Sequence, residues 1–267
     1  MLLAGATLMQ VREPARAQQR RSLADPLRLG ADAALFDAGL ARVLHQAFGH
    51  DTGVAVQVER RPALPLLEAL ERGELDVALS NAPETEARLE SQGLVHDRRL
   101  IAEGAFVLVG PAPRGKTLDP AGVSGGRDAV AALLRVREAA LAAPGALWFL
   151  SASDGSGTHS AELALWRAAG VVPAGHWYEA ASAGRNVAAQ AREQQAYALV
   201  ERGAWLAAGG APLAVLVDGD PRLLERVHVM RSFRVDHPAG KLFTAWIAGE
   251  RGHKVVAALR GYRPPSA

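Results

Sequence analysis

The sequence predicts an α/β fold in which mostly parallel sheets are flanked by helices, and three observations support this. Short apolar runs rich in β-branched residues alternate with longer segments whose apolar residues recur at helical spacing. Glycine directly follows several of the helical segments, as it does where helices end. The chain has 267 residues, 49% of them hydrophobic, which is enough for one or two domains with a sizeable core.

In the first half of the chain, strands and helices are predicted in turn. Val54, Val56 and Val58 alternate as in a strand, whereas Leu40 and Leu44 are spaced as on one face of a helix. The predicted strands comprise residues 27–30, 54–58, 76–79 and 106–109. The predicted helices comprise residues 37–48, 64–72, 84–92 and 128–142. This alternation is typical of parallel sheets that are covered on both faces.

The second half continues the same alternation. Gly170 ends one predicted helix, and the final helix is expected to break around residues 249–252. The predicted helices comprise residues 160–169, 186–195 and 242–259. The predicted strands comprise residues 196–199, 214–217 and 227–230.

Composition excludes several classes of function. The chain has no cysteine, which rules out disulfides, zinc–thiolate sites and thiol catalysis. Its 30 basic and 28 acidic residues give a net charge of +2, and no basic block with interleaved aromatic residues suggests nucleic-acid binding. No apolar run approaches the ~20 residues that a membrane-spanning helix needs.

The N-terminal residues indicate export. Residues 1–9 are apolar, and Ala15-Arg16-Ala17 fits the small-x-small pattern of a signal-peptide cleavage site. We therefore expect residues 1–26 to be a signal remnant whose first residues are missing, or a disordered tail. The first alternative places the mature protein in the periplasm.

The most informative segment is residues 151–162, Ser-Ala-Ser-Asp-Gly-Ser-Gly-Thr-His-Ser-Ala-Glu. It follows an apolar run and precedes Leu163, Leu165 and Trp166, so it is predicted to be the turn between a strand and a helix. The free N–H groups and positive dipole at a helix start, with the hydroxyls of Ser156 and Thr158, would form a cradle for an anion. The alternative is that these side chains only cap the helix.

The same segment also contains Asp154, Ser156 and His159, which are close enough in sequence to touch at a helix start. Ser156 does not stand in a Gly-x-Ser-x-Gly nucleophile elbow, however, so a serine hydrolase is not indicated at this segment. His159 and Glu162 have the spacing of a metal-ligand pair, but one such pair does not complete a metal site. We expect no catalytic residues, no metal and no cofactor.

Residues 151–162 resemble the Ser-Arg-Gly-Asp-x-Ser-Gly-Thr-His-x-x-Glu signature of the tungstate-binding proteins that feed ABC importers. Further segments resemble that family in the same order between about residues 27 and 237. These segments are residues 39–48, 75–84, 106–111, 197–203 and 219–223. The resemblance therefore covers most of the chain.

The resemblance implies a type II periplasmic-binding-protein-like fold with two lobes and a ligand in the cleft between them. The first lobe would hold residues 27–108 and 227–267, and the second would hold residues 109–226. The implied ligand is a small oxyanion such as tungstate or molybdate, and the implied partners are ABC permease subunits. A monomer without cofactor or nucleic acid is expected.

The family's ligand-binding role carries over first to Ser156, Gly157 and Thr158. Arg202 matches the arginine of the family's Asp-Arg-Gly turn, where a guanidinium suits an oxyanion. Its alternative is a structural ion pair with Asp154 or Glu201. Asn81 follows the third predicted strand and is a weaker candidate, because Asn-Ala-Pro is also a typical turn sequence.

The chain departs from the family at the positions that would donate to the oxyanion. Ala31, Asp32, Ala33 and Ala34 stand where the family has threonine and serine, and Ala152 stands where it has arginine. Asp32 could receive a hydroxyl or cationic group of another ligand, or cap the helix expected near Asp37. Arg185 could replace the lost charge, or be an exposed loop cation. The alternatives are therefore a protein for a different small organic ligand, or the ligand-sensing module of a regulator.

Overall fold

Residues 19–113 and 119–266 are described in a computed structural model of the protein. The strands are β1 (Gln19–Arg20), β2 (Leu27–Asp32), β3 (Val56–Arg61), β4 (Val77–Ser80), β5 (Val95–Pro111), β6 (Phe149–Ser151), β7 (Tyr178–Ala180), β8 (Ala198–Glu201), β9 (Leu213–Val217), β10 (Leu224–Ser232) and β11 (Val235–Asp236). The helices are α1 (Ala33–Asp37), α2 (Leu40–Thr52), α3 (Ala63–Arg72), α4 (Pro83–Ser91), α5 (Ala129–Ala142), α6 (Gly157–Ala168), α7 (Val187–Gln194), α8 (Arg202–Ala208), α9 (Pro238–Ile247) and α10 (Glu250–Ala258).

The main sheet of the described residues has the order β3-β2-β4-β10-β5-β8, and β9 also pairs with β5. The predicted parallel pairing is found between β2 and its neighbours β3 and β4. The long strands β5 and β10 run antiparallel to each other, and β5 is also antiparallel to β8 and β9. Strand β5 is longer than predicted because its first part pairs with β10 and its second part with β8 and β9.

The buried apolar residues form two regions that meet along β5 and β10. The first region packs residues 27–102 against residues 227–262 and includes Phe48 and Phe243. The second region packs residues 106–223 around Phe149 and Trp166. Ala204 of α8 belongs to the second region in sequence but packs into the first, so α8 connects the two.

The predicted helix over residues 37–48 corresponds to α2, and the short helix α1 before it was not predicted. Gly39 adopts φ +84°, a left-handed conformation that interrupts α1 and α2. The break leaves α1 directly after β2, so the helix that Asp32 caps begins at Ala33 and not near Asp37. The break expected in the final helix is found, with α9 and α10 on either side of Gly249.

The predicted N-terminal tail lies mainly outside the described residues, which begin at Gln19. The remainder of it, residues 19–26, packs on the first region. Strand β1 pairs with β11, and Arg21 forms a 2.6 Å ion pair with the buried Asp76. None of the described helices combines the length and hydropathy needed to cross a membrane.

Candidate functional site

A cavity lies between the two regions, where β2, β6 and β8 end and α1, α6 and α7 begin. The space between its lining atoms, with the open solvent at its mouth included, amounts to about 380 Å³. Its polar and charged lining comprises Asp37, Arg60, Asp154, Ser156, Thr158, Arg185, Asn186 and Glu201. Its apolar lining comprises Ala33, Ala34, Ala152, Val187, Ala188, Val200 and Ala204. Because strand ends and helix starts meet here, a ligand would lie near the positive ends of helix dipoles.

The start of α6 brings two of the predicted residues to this cavity. Ser156 is the N-cap, and its Oγ accepts the N–H of His159 at 3.2 Å, as the capping alternative requires. Thr158 is only 2% exposed, and its Oγ1 has no hydrogen-bond partner among the described residues. A buried hydroxyl without a partner destabilises a folded protein, so it marks a position where a ligand would complete the structure.

Asp32 connects the two regions through its carboxylate. Its Oδ1 accepts the N–H of Ala34 at 2.9 Å, which caps α1, and its Oδ2 accepts the N–H of Gly157 at 3.2 Å. Burial raises the pKa of Asp32 to about 6, although both backbone N–H groups favour its ionised form. Asp32 therefore both caps a helix, as one sequence alternative proposed, and occupies an N–H group of α6.

A second connection between the regions involves residues that the sequence analysis missed. Arg60, at the end of β3, forms a bidentate ion pair with Asp37, with both N–O distances at 2.8 Å. The Asp37 carboxylate also accepts from the side-chain amide of Asn186, the N-cap of α7, at 2.9 Å. The available signal was the position of Arg60 at the carboxyl end of a parallel strand, beside Ala31 in the β2–β3 register.

Arg185 also lines the cavity, at the loop that precedes α7. Its guanidinium binds both carboxylate oxygens of Glu193 at 2.8 and 2.9 Å, and its side chain is 51% exposed. Both sequence alternatives thus describe part of its position. It is an exposed loop cation that borders the cavity.

Two predicted residues lie elsewhere in the described structure. Arg202 is the first residue of α8 and pairs with the exposed Asp218 at 3.0 Å, outside the cavity lining. Neither Asp154 nor Glu201, the partners proposed from sequence, is the one it finds. Asn81 lines a separate groove between α4 and α6 and donates to Glu225 at 2.6 Å.

A pair of buried carboxyl groups lies behind the cavity where the regions meet. Glu201 caps α8, and its two oxygens accept the N–H groups of Gly203 and Ala204, both at 2.6 Å. Glu225 of β10 hydrogen-bonds with Glu201 and receives the Asn81 amide on Oε1. Burial raises the pKa of Glu201 to about 7, and burial together with the charge of Glu201 raises the pKa of Glu225 well above its usual range. The pair therefore holds a proton at neutral pH.

The sequence matches the PBP superfamily domain over residues 22–249, nearly the whole described chain. The chain belongs to the PBP superfamily. It is 30% identical over 229 residues to the tungstate-binding protein TupA of Peptoclostridium acidaminophilum, an alignment that covers 82% of this chain and 76% of that protein. The resemblance stated from the sequence motifs is thereby confirmed.

Solved structures in the PBP superfamily agree with the fold. The tungstate ABC transporter structure from Geobacter sulfurreducens has a TM-score of 0.73 and 30% identity, covering 88% of this chain and 98% of that one. The tungstate-binding protein TupA from Desulfovibrio alaskensis G20 has a TM-score of 0.67 and 25% identity, covering 91% of this chain and 100% of that one. The predicted α/β fold of the type II binding-protein kind is confirmed.

At the start of α6, the side chains that could act in catalysis bond to the loop backbone. His159 Nδ1 accepts the N–H of Gly155, while Asp154 accepts the N–H of Ser156. These side chains thus hold the loop backbone and do not form the nucleophile–base–acid chain of a hydrolase. In the part of the chain that the structure describes, no group of three or more histidine or acidic side chains is placed to hold a metal ion.

Gly157 allows α6 to pack closely against the first region of this PBP-superfamily chain because it has no side chain. A Cβ atom there would overlap the side chain of Asn81. We expect Gly157→Ala to destabilise the protein by roughly 1–3 kcal/mol, as overpacking does. Chemical denaturation measures this change. Gly240→Ala on α9 is the control, because a Cβ there meets only the flexible Arg231 side chain at 3.3 Å and ordinary contacts. Equal effects of the two variants would contradict the assigned contact.

Proposed function

We propose that this chain is the extracytoplasmic solute-binding component of an ABC importer and that it binds a small oxyanion in the cavity between its two regions. PBP-superfamily membership and the tungstate-binding relatives support this function. The location of the ligand is supported by the buried hydroxyl of Thr158 at the start of α6. Its Oγ1 has no hydrogen-bond partner among the described residues. Permease subunits would be the partners, and tungstate and molybdate are the first ligands to test.

The proposal also divides the chain into two lobes, residues 27–108 with 227–267 and residues 109–226. The separation of the core clusters along β5 and β10 supports this division. Those two strands would be the hinge, and closure of the lobes would bring α1 and α6 together around the solute. The contacts of Asp32 with Gly157 and of Asp37 with Asn186 would then be closed-state contacts.

The function is tested by thermal unfolding of the full chain with sodium tungstate, sodium molybdate, sodium sulfate and a panel of small carboxylates at constant ionic strength. A ligand at about 100 times its Kd adds ~2.7 kcal/mol of stability. For a chain of this size we therefore expect the Tm to rise by roughly 5–10 °C. If no oxyanion in this set raises the Tm, the proposed function is wrong.

Thr158→Val tests the location. Loss of a hydrogen bond to a charged ligand is expected to weaken binding roughly 10- to 150-fold, while the ligand-free protein becomes no less stable because an unsatisfied buried hydroxyl is removed. Titration calorimetry and denaturation measure the two effects. Thr244→Val is the matched control, since Thr244 is 1% exposed and its hydroxyl donates to Lys241 on α9. It should lower stability and leave binding unchanged; unaltered binding by Thr158→Val would place the ligand elsewhere.

A further inference from the structure

The cavity lining combines hydrogen-bonding groups with hydrocarbon. It includes Ala33, Ala34, Ala152, Val187 and Val200 as well as Thr158 and two arginine side chains. A bare tetrahedral oxyanion presents acceptor atoms in every direction, and methyl groups satisfy none of them. Burying unsatisfied oxygens of a charged group is strongly unfavourable. The lining therefore suits a solute that has an apolar part as well as an anionic group.

The start of α6 offers fewer donors than a free helix start would. The Gly157 N–H is already bonded to Asp32, whose carboxylate is fully buried. That carboxylate would also repel an anion placed on the same N–H group. The side-chain hydroxyl of Thr158 has no partner among the described residues and can contact one oxygen of a carboxylate.

The charges of the wall do not favour a dianion. Its two cations already have carboxylate partners, Arg60 with Asp37 and Arg185 with Glu193. Asp154 and Glu201 add further carboxyl groups to the lining. Asp154 receives one N–H, from Ser156 at 2.9 Å, and a carboxylate can accept several hydrogen bonds. A solute that carries its own donor would use this remaining capacity.

We infer that the solute is a small organic monocarboxylate with a hydroxyl or amino group and a short aliphatic body. The inference rests on the proposed function and names the class of its oxyanion. The carboxylate contacts Thr158 and the guanidinium groups, the donor contacts Asp154, and the aliphatic part packs on Ala33, Ala34 and Val187. The carboxylate of such a solute adds one negative charge to the cavity where tungstate adds two, and a protonated amino group cancels that charge.

The test compares binding of sodium tungstate, sodium lactate, 2-hydroxybutyrate, L-2-aminobutyrate and butyrate to the full chain by titration calorimetry. We expect a hydroxy or amino acid to bind at least tenfold more tightly than tungstate, and at least tenfold more tightly than butyrate. Asp154→Ala should reduce the preference over butyrate to less than threefold. A residue with only a structural role would weaken both ligands equally and leave that ratio unchanged.

Each outcome separates the inference from the function on which it rests. Tighter binding of tungstate than of every carboxylate overturns the inference and supports the proposed function. Equal binding of butyrate and its 2-substituted analogues overturns the role of Asp154 and the donor on the solute. No binding of any probe overturns both.

Ala152→Arg gives an independent measurement. A guanidinium added at this apolar position of the lining should raise the affinity for tungstate at least tenfold and lower the affinity for 2-hydroxybutyrate. An unchanged ratio of the two affinities would contradict the inference.

Discussion

Glu225→Gln is expected to raise the stability of the protein above pH 7 and to flatten its dependence on pH. In the wild type, Glu225 and Glu201 are each 1% exposed and hydrogen-bond to each other, so one of them must hold a proton. Oε2 of Glu225 receives no hydrogen bond, and we assign the proton to it. A glutamine amide would supply the same donor at every pH.

The direction in which stability changes with pH follows from the direction of the pKa shifts. Both pKa values are raised by folding, so the folded protein holds a proton that the unfolded chain releases at lower pH. The stability that this pair contributes is therefore greatest below the usual carboxyl pKa, near pH 4, and is lost as the pH rises through about 7, the pKa of Glu201 in the folded protein, and through the raised pKa of Glu225. The loss is on the order of 3 kcal/mol for a shift of this size.

Glu201→Gln is an equally conservative change, and we expect it to have the opposite effect on stability. Both oxygens of Glu201 accept N–H groups of α8, and a glutamine can accept with only one of them. This variant should be less stable than the wild type at every pH, whereas Glu225→Gln should be more stable at pH 8. Urea denaturation between pH 4 and pH 9 measures both. Parallel pH profiles for the wild type and Glu225→Gln would show that the pair does not share a proton.

Trp166→Ala is expected to have the largest effect on stability. Trp166 is fully buried, and its ring contacts Phe149 and Trp177 edge-on, with centroids 5.5 and 5.3 Å away. Truncation of a buried tryptophan costs about 3–5 kcal/mol through lost transfer energy and the remaining cavity. Because Trp166 lies on the inner face of α6, the helix start with Thr158 should also lose its fixed position, and ligand affinity should fall.

Denaturation and calorimetry of Trp166→Ala are compared with those of Trp166→Phe and Leu44→Ala. The phenylalanine variant keeps an aromatic contact and should lose less stability and little affinity. Leu44 is fully buried in the first region, away from α6. Its truncation should cost about 2–5 kcal/mol without an effect on affinity at temperatures where the protein is folded. Equal losses of affinity in the two alanine variants would mean that α6 is not positioned by Trp166.

Much of the fold follows from patterns that are visible in the sequence. Helical spacing and terminal glycines locate α3 and α5 to within one residue of their observed bounds, because both depend on local backbone preference and one apolar face. The length of β5 was not predictable in this way. Residues 95–105 are partly exposed and polar, and they form a strand because β10, more than a hundred residues later, pairs with them.

In the site, too, the residues placed by local sequence were predictable, and the residues placed by tertiary contacts were not. Ser156 and Thr158 were predictable, since a strand–turn–helix sequence fixes where a helix start points. Arg202 lies outside the cavity lining: its motif position is at the start of α8, and its side chain pairs with Asp218, sixteen residues later. Arg60 was missed because its role depends on Asp37 and Asn186, which only the packed structure brings together.

The order in which the chain is made has a consequence for how the first region is completed. Strand β10 lies between β4 and β5, and it is made only after the whole second region has been synthesised. Until residues 224–232 leave the ribosome, β4 and β5 have no shared neighbour and their edges are exposed to other chains. A nascent or prematurely terminated chain that ends before Leu224 could bury the second core but not the first. We therefore expect such a chain to aggregate or be degraded, even though the missing segment contributes little to the lining of the cavity.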